Sequence, residues 1–238
     1  MNYARHYGFI ESEYLERRME HLVYGHGGAP VLVFPTSGGK FYQWEDFGML
    51  GPVAQHLANG WIQLFCIDSV DRESWYNFDA HQFDQLERHL QFEAYLLDEF
   101  LPYLRSVNQN PFLMVTGASF GAFHAVNFSF RHPRLVKRVI AMSGDYDICQ
   151  CVDGYYDDDV YYNCPPHFMP NVTDPELLAA FGEMDIILGA GRWDFCLGPT
   201  INLAGILERL GVGHRLEVWE DPAIHDWPLW RKMFPRFV

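Results

Sequence analysis

The chain has 238 residues, 49% of them hydrophobic and 16% aromatic, and a formal net charge of −14 at pH 7. That is apolar material enough for one α/β domain around a single core. So strong an acidic balance sets aside nucleic acid and anionic membrane surfaces as partners. The N-terminal MNYARHYGFIESEYLERRME is polar and lacks the apolar core of an export signal, and no stretch approaches the length of a membrane span. The five cysteines, Cys66, Cys149, Cys151, Cys164 and Cys196, are odd in number and fit no zinc spacing. Reduced thiols in a cytoplasm, with no metal and no cofactor, are the expectation. The sequons at Asn127 and Asn171 are therefore read as chance matches.

Short apolar runs alternate with amphipathic stretches along the chain. Arg17–Tyr24 reads as an early antiparallel strand, followed by the turn Gly25-His26-Gly27-Gly28. Val31–Phe34 is an apolar strand, Gln43–Ala58 a helix interrupted near Gly51-Pro52, and Trp61–Ile67 the next strand. Gln82–Val107 carries Leu86, Leu90, Ala94, Leu97 and Leu101 on one helical face, with Pro102 expected to kink or end it. Then come strand Phe112–Thr116, helix Phe120–Arg131 and strand Val136–Met142. Strand Ile186–Leu188, helix Ile201–Leu210, strand Arg215–Trp219 and a helix near Trp227–Phe234 complete the chain. Such alternation predicts a mostly parallel sheet with helices on both faces, so ligands bind beyond the carboxyl ends of the strands.

Residues 117–121 read Gly-Ala-Ser-Phe-Gly, a G-x-S-x-G between an apolar strand and a helix-forming run. A serine there sits on a sharp turn at a helix N-terminus, where free N–H groups favour developing negative charge. Its partners should follow as acid, then histidine. Asp194 lies just beyond Ile186–Leu188 and His225 just beyond Arg215–Trp219. The rivals Asp185 and His214 precede those strands, at the wrong end of the sheet, and His124 reads as a packed helix residue. An oxyanion site needs two backbone N–H groups. Phe120 follows the nucleophile, and Ser37 is the best donor in the loop Phe34-Pro-Thr-Ser37-Gly-Gly-Lys40.

With these segments in place, the chain resembles α/β-hydrolases of the esterase D type, and more closely a set of bacterial proteins grouped as "putative esterases". S-formylglutathione hydrolases, feruloyl esterases and mycolyltransferases are related to that group. The resemblance rests on FPTSGGKFYQWEDFGM, FCIDSVDRESWYN, VTGASFGAFHAVNF, MSGDYDI, DGYYDDDVYYNCP, GRWDFCL and HDWPLW, from about residue 31 to residue 230. It implies one α/β-hydrolase domain over 1–238 and a serine hydrolase with Ser119, Asp194 and His225 as its triad, acting on a small-molecule ester. An acyltransferase or thioesterase would use the same triad, and a non-catalytic binding module on this fold is the remote alternative; the substrate and any homo-oligomer stay open. Within the loop Asp68–Asn77, Trp75 and Tyr76 either line a substrate pocket or pack the loop. Residues 145–180, with weak helical periodicity and many aromatics, read as a small cap over the site. Asp157, Asp158 and Asp159 lack calcium-loop spacing and read as a solvated acidic turn.

Overall fold

The computed structural model describes residues 3–238. Eight strands form one sheet: β1 (Arg5–Ser12), β2 (Arg17–Tyr24), β3 (Ala29–Phe34), β4 (Ile62–Ile67), β5 (Met114–Ala118), β6 (Arg138–Met142), β7 (Asp185–Gly191) and β8 (Arg215–Trp219). Their spatial order is β1-β2-β4-β3-β5-β6-β7-β8. β1 and β2 are antiparallel to their neighbours, and β3 to β8 run parallel. β1 was not expected. Its residues are mostly exposed, because it is an edge strand that pairs only with β2, and so it carries no apolar run to read.

The central strands are buried on both faces and alternate between two cores, as a side-chain period of two requires. Leu32 and Phe34 of β3 face a layer built from α3 (Gln82–Tyr95), α4 (Leu101–Val107), α5 (Phe120–Arg131) and α9 (Leu197–Arg209). Val31 and Val33 face α1 (Gln43–Asp46), α2 (Ala54–Ala58) and α10 (Trp227–Phe237). The expected break near Pro52 falls between α1 and α2. The helix expected over 82–107 does not end at Pro102. A π-helical turn, Leu96–Phe100, separates α3 from α4, and Pro102 sits in the first turn of α4. The wider turn takes up the missing N–H and the ring, which would otherwise press on the carbonyl one turn back.

Between β6 and β7 lie α6 (Asp158–Tyr162), α7 (Pro165–Phe168), α8 (Pro175–Gly182) and two 3₁₀ turns. Because β6 and β7 are parallel neighbours, this connection must return from the carboxyl edge of the sheet to the amino edge. α8 makes that return: Glu176 within it pairs with Arg134, next to the start of β6. Residues 145–180 are thus a crossover with an insertion at its start, rather than a cap throughout. The insertion packs Ile148, Val152 and Val160 against Trp75, Leu86 and Phe123. No helix among the described residues is long and apolar enough to cross a membrane.

Candidate active site

Ser119 stands between β5 and α5 with φ 55° and ψ −125°, a conformation rarely adopted by residues other than glycine. Two glycines make the turn sterically feasible. A Cβ on Gly117 would lie 2.1 Å from the Gly121 carbonyl oxygen, and one on Gly121 would lie 2.4 Å from the Pro35 oxygen. The Ser119 N–H donates to the Met142 carbonyl at 2.9 Å, which ties the turn to the end of β6. The Phe120 N–H opens α5 and has no partner within the described chain.

Asp194 and His225 reach this serine from the ends of β7 and β8. The His225 loop lies directly on β7, since a Cβ on Gly191 would come within 2.4 Å of the Ala223 carbonyl. Trp193 N–H donates to Ala223 O at 2.8 Å and Arg192 N–H to Trp219 O at 2.9 Å, which fixes the two loops together. His225 Nδ1 lies 2.8 Å from Asp194 Oδ1, and its Nε2 lies 2.9 Å from Ser119 Oγ. These partners assign the proton to Nδ1, leaving Nε2 to accept from the serine hydroxyl. Burial pushes the Asp194 carboxyl up, but hydrogen bonds from His225 and the Cys196 N–H, with the Ser143 hydroxyl nearby, outweigh it and hold the group below the usual carboxylate range. Ser143, whose hydroxyl helps to hold the Asp194 carboxyl low, accepts from Trp230 Nε1 at 2.9 Å. Ser143 also takes a positive φ of 57° at the end of β6. Edge-on Trp230 and the ring of Phe195, 5.1 and 4.1 Å from the imidazole centroid, flank His225.

The loop after β3 is held by polar partners that the sequence reading missed. Thr36 N–H donates to Gln43 Oε1 at 2.8 Å, Gly38 N–H to Asp71 Oδ2 at 2.8 Å and Gly39 N–H to Thr36 O at 2.8 Å. Ser37 N–H, between them, has no partner within the described chain. Its hydroxyl bonds to Tyr76 Oη at 3.1 Å, and the Tyr76 ring packs on Phe120 at 4.8 Å, so Ser37 and Phe120 flank one tyrosine. Asp71 is fully buried, and its other oxygen lies 2.7 Å from His124 Nε2 on α5. The one sequence signal for Asp71 is its place just past β4, at the carboxyl edge. His124 is the packed helix residue expected of it. Trp75 is different from Tyr76. It is fully buried, donates from Nε1 to His89 at 3.1 Å, and so packs the loop rather than lining a pocket.

The acidic residues between 145 and 185 do not all face the site. Glu176, Glu183 and Asp185 pair with Arg134, Lys137 and Arg138 at the amino edge of the sheet. Asp157 caps α6, with Asp158 and Asp159 exposed beside it. Asp145 and Asp147 remain at the carboxyl edge, where they line an open cavity of about 390 Å³ with Tyr146, Gln150, Pro199 and Asn202.

This sheet order, with a serine on the turn after β5 hydrogen-bonded to a histidine after β8, defines an α/β-hydrolase. The chain belongs to the esterase family described as "Putative esterase", which it matches over residues 12–238, and is an enzyme of the carboxylesterase-type serine hydrolases. No curated protein sequence matches it. Among solved structures it is similar to a ferulic acid esterase (TM-score 0.79, 16% identity, 99% of this chain and 96% of that one). It is also similar to an S-formylglutathione hydrolase from Agrobacterium tumefaciens (TM-score 0.76, 12% identity, 99% and 93%). A third is the Staphylococcus aureus fluorophosphonate-binding serine hydrolase FphF (TM-score 0.65, 12% identity, 99% and 97%). At these identities the solved structures speak to the fold.

Proposed function

We propose that Ser119 is the nucleophile of an ester hydrolase, with His225 as its general base and acid and Asp194 as the residue that orients and stabilises the imidazole. The observation that carries this reading is the unbroken path Ser119 Oγ, His225, Asp194, with contacts of 2.9 and 2.8 Å. His225 Nε2 takes the hydroxyl proton as Oγ attacks the ester carbonyl. The oxyanion meets the free N–H groups of Phe120 and Ser37, and such a donor is worth about 10²–10³ in rate. His225 then returns the proton to the departing alkoxide. Water repeats the sequence on the acyl-serine and restores the enzyme.

Trp193, Phe195 and Ile224 stand exposed around His225. An apolar rim of this kind suits an ester with an aromatic or aliphatic group that lies on it. Tyr76 borders the oxyanion loop and contacts substrate there, and the start of the 145–180 segment overhangs the same edge. Five unpaired cysteines support a reducing cytoplasm.

Ser119→Ala and His225→Ala each lower kcat for a small neutral aryl ester by at least about 10⁴-fold, with unchanged circular dichroism. The double variant is little worse than either, because the groups act as a unit. Hydrolysis near the wild-type rate by Ser119→Ala protein would overturn the assignment.

A further inference from the structure

The insertion after β6 brings together four metal-binding side chains that the triad does not use. The ligand atoms of Asp147, Cys149, Cys164 and His167 all lie within 4.8 Å of one another. Cys164 Sγ is 3.2 Å from Asp147 Oδ1 and His167 Nε2 is 3.5 Å from Asp147 Oδ2, while Cys149 Sγ lies 4.0 Å from the other nitrogen of the same imidazole, Nδ1. Around a tetrahedral zinc ion, with bonds of about 2.0–2.3 Å, neighbouring ligand atoms are spaced by about 3.3–3.8 Å. The side chains therefore need only small rotations to meet at one centre.

We propose that Asp147, Cys149, Cys164 and His167 form a structural zinc site that clips the chain leaving β6 to helix α7. The proposal is independent of the esterase reading. Two sulfurs, an imidazole and a carboxylate suit a borderline-soft ion and exclude calcium and magnesium, which require oxygen. Four protein ligands leave no open position, which is the pattern of a structural rather than a catalytic site. His167 is already oriented: Tyr156 Oη lies 2.8 Å from Nδ1, so Nδ1–H can donate to it and leave Nε2, on the Asp147 side, as the ligand atom. The local charge also calls for a cation. No lysine or arginine occurs between Arg138 and Arg192, and His167 is the one basic partner of Asp147 among the described residues. Cysteine binds zinc as its thiolate, so each ion taken up displaces the two thiol protons of Cys149 and Cys164 and forms two Zn–S bonds.

A zinc clip also answers a packing question. α6 has five residues and α7 four, too short to persist on their own helical bonds. Cys164 is the residue that opens α7 and His167 lies in its last turn, so one ion would fix both ends of that helix to the strand exit. Cysteine spacing alone pointed to no zinc set, because one pair of ligands is Asp147-Ile-Cys149 and the other Cys164-Pro-Pro-His167, and only the fold joins them.

The test is titration of reduced, chelator-treated wild-type protein with Co²⁺ alone, then with Zn²⁺. One equivalent of Co²⁺ should produce the thiolate-to-metal charge-transfer band and the intense visible bands of a tetrahedral site, and Zn²⁺ should abolish them. Cys149→Ser and Cys164→Ser should each lose most of the charge-transfer intensity. Tyr156→Phe should weaken Zn²⁺ about 10–100-fold while keeping the bands, and Ser119→Ala should change nothing. Absence of the bands in the wild type would overturn the proposal without reliance on any variant. So would bands that persist in both cysteine variants, or native protein two hydrogens lighter with Cys149 disulfide-bonded to Cys164.

Discussion

The sheet frame and the insertion between β6 and β7 are held together differently. In the frame, registered strands bury alternate residues into two apolar cores, and each proposed catalytic residue sits on the turn after a strand. In the insertion, short helices rest on a small apolar cluster and on polar ties such as Asn163 to His89 and Asn127. The frame positions atoms by geometry that many residues share. The insertion depends on a few specific side chains, so single substitutions there should have local effects, while changes at the frame's carboxyl edge should reach the chemistry directly.

The largest expected effect separates two aspartates on the same strand. Asp194→Asn misorients His225 and lowers kcat by about 10⁴-fold. Asp185→Asn removes an exposed ion pair with Arg138 at the opposite edge and leaves kcat within about twofold. Steady-state kinetics on both variants checks the contrast, and a reversal would mean that the wrong end of β7 carries the site.

The next effect tests whether Asp71 positions the oxyanion loop. Asp71→Ala releases Gly38 N–H and leaves buried His124 unpaired. It should lower kcat by about 10–10²-fold with a smaller change in KM, since a displaced donor loses part of its full worth. Asp71→Asn keeps an acceptor and should recover a good part of kcat. Equal losses in both variants, tracking the melting temperature, would reduce Asp71 to a structural role.

Two buried histidines make the fold sensitive to acid. Burial holds His21 down to about 4, and burial with neighbouring His124 holds His89 down to about 3. Both lie below the unfolded value of about 6.5, so the unfolded chain takes up protons first. Their stabilising contribution is complete above about pH 6.5 and is lost as pH falls from there, each group costing up to about 1.4 kcal/mol per pH unit. The His21 ring nitrogens have no hydrogen-bond partner among the described residues, and the ring packs on Phe100 and Tyr103 in the frame. His21→Leu should therefore flatten the fall in melting temperature between pH 7 and 5. His89 accepts from Trp75 and bonds Asn163, so its replacement should loosen the insertion first. A melting temperature independent of pH over that range would contradict both.

The smallest effect concerns substrate charge. With Glu176, Glu183 and Asp185 paired at the far edge, fewer carboxylates of residues 145–185 are left at the carboxyl edge, with Asp145 among them. A neutral ester should exceed its matched carboxylate-bearing analogue in kcat/KM by about two- to tenfold at low salt, and the gap should close as salt is added. Equal values at low salt would remove the field from the account.

The frame was legible in the sequence because its signals are local. An apolar run, the Gly-Ala-Ser-Phe-Gly turn and the order of acid and histidine can each be read without knowing what lies across the sheet. Helix α5 and strand β8 fall on the residues expected of them. What escaped depends on distant partners: β1 pairs with an edge, Gln43 and Asp71 clasp the Ser37 loop, and Ser143 supports the Asp194 side of the site. Such residues are polar, carry no periodicity, and take meaning only from what the fold brings to them. The acidic residues between 145 and 185 are a similar case, since composition does not record which carboxylates face the cleft.

The central claim is that Ser119 is activated by its hydrogen bond to His225. The direct measurement is reaction of the purified protein with a fluorophosphonate, followed by intact-mass and peptide mass spectrometry. The account predicts one adduct per chain, on Ser119, formed slowly or not at all in the His225→Ala variant. An unlabelled wild-type protein, or an adduct on any other residue, would contradict it.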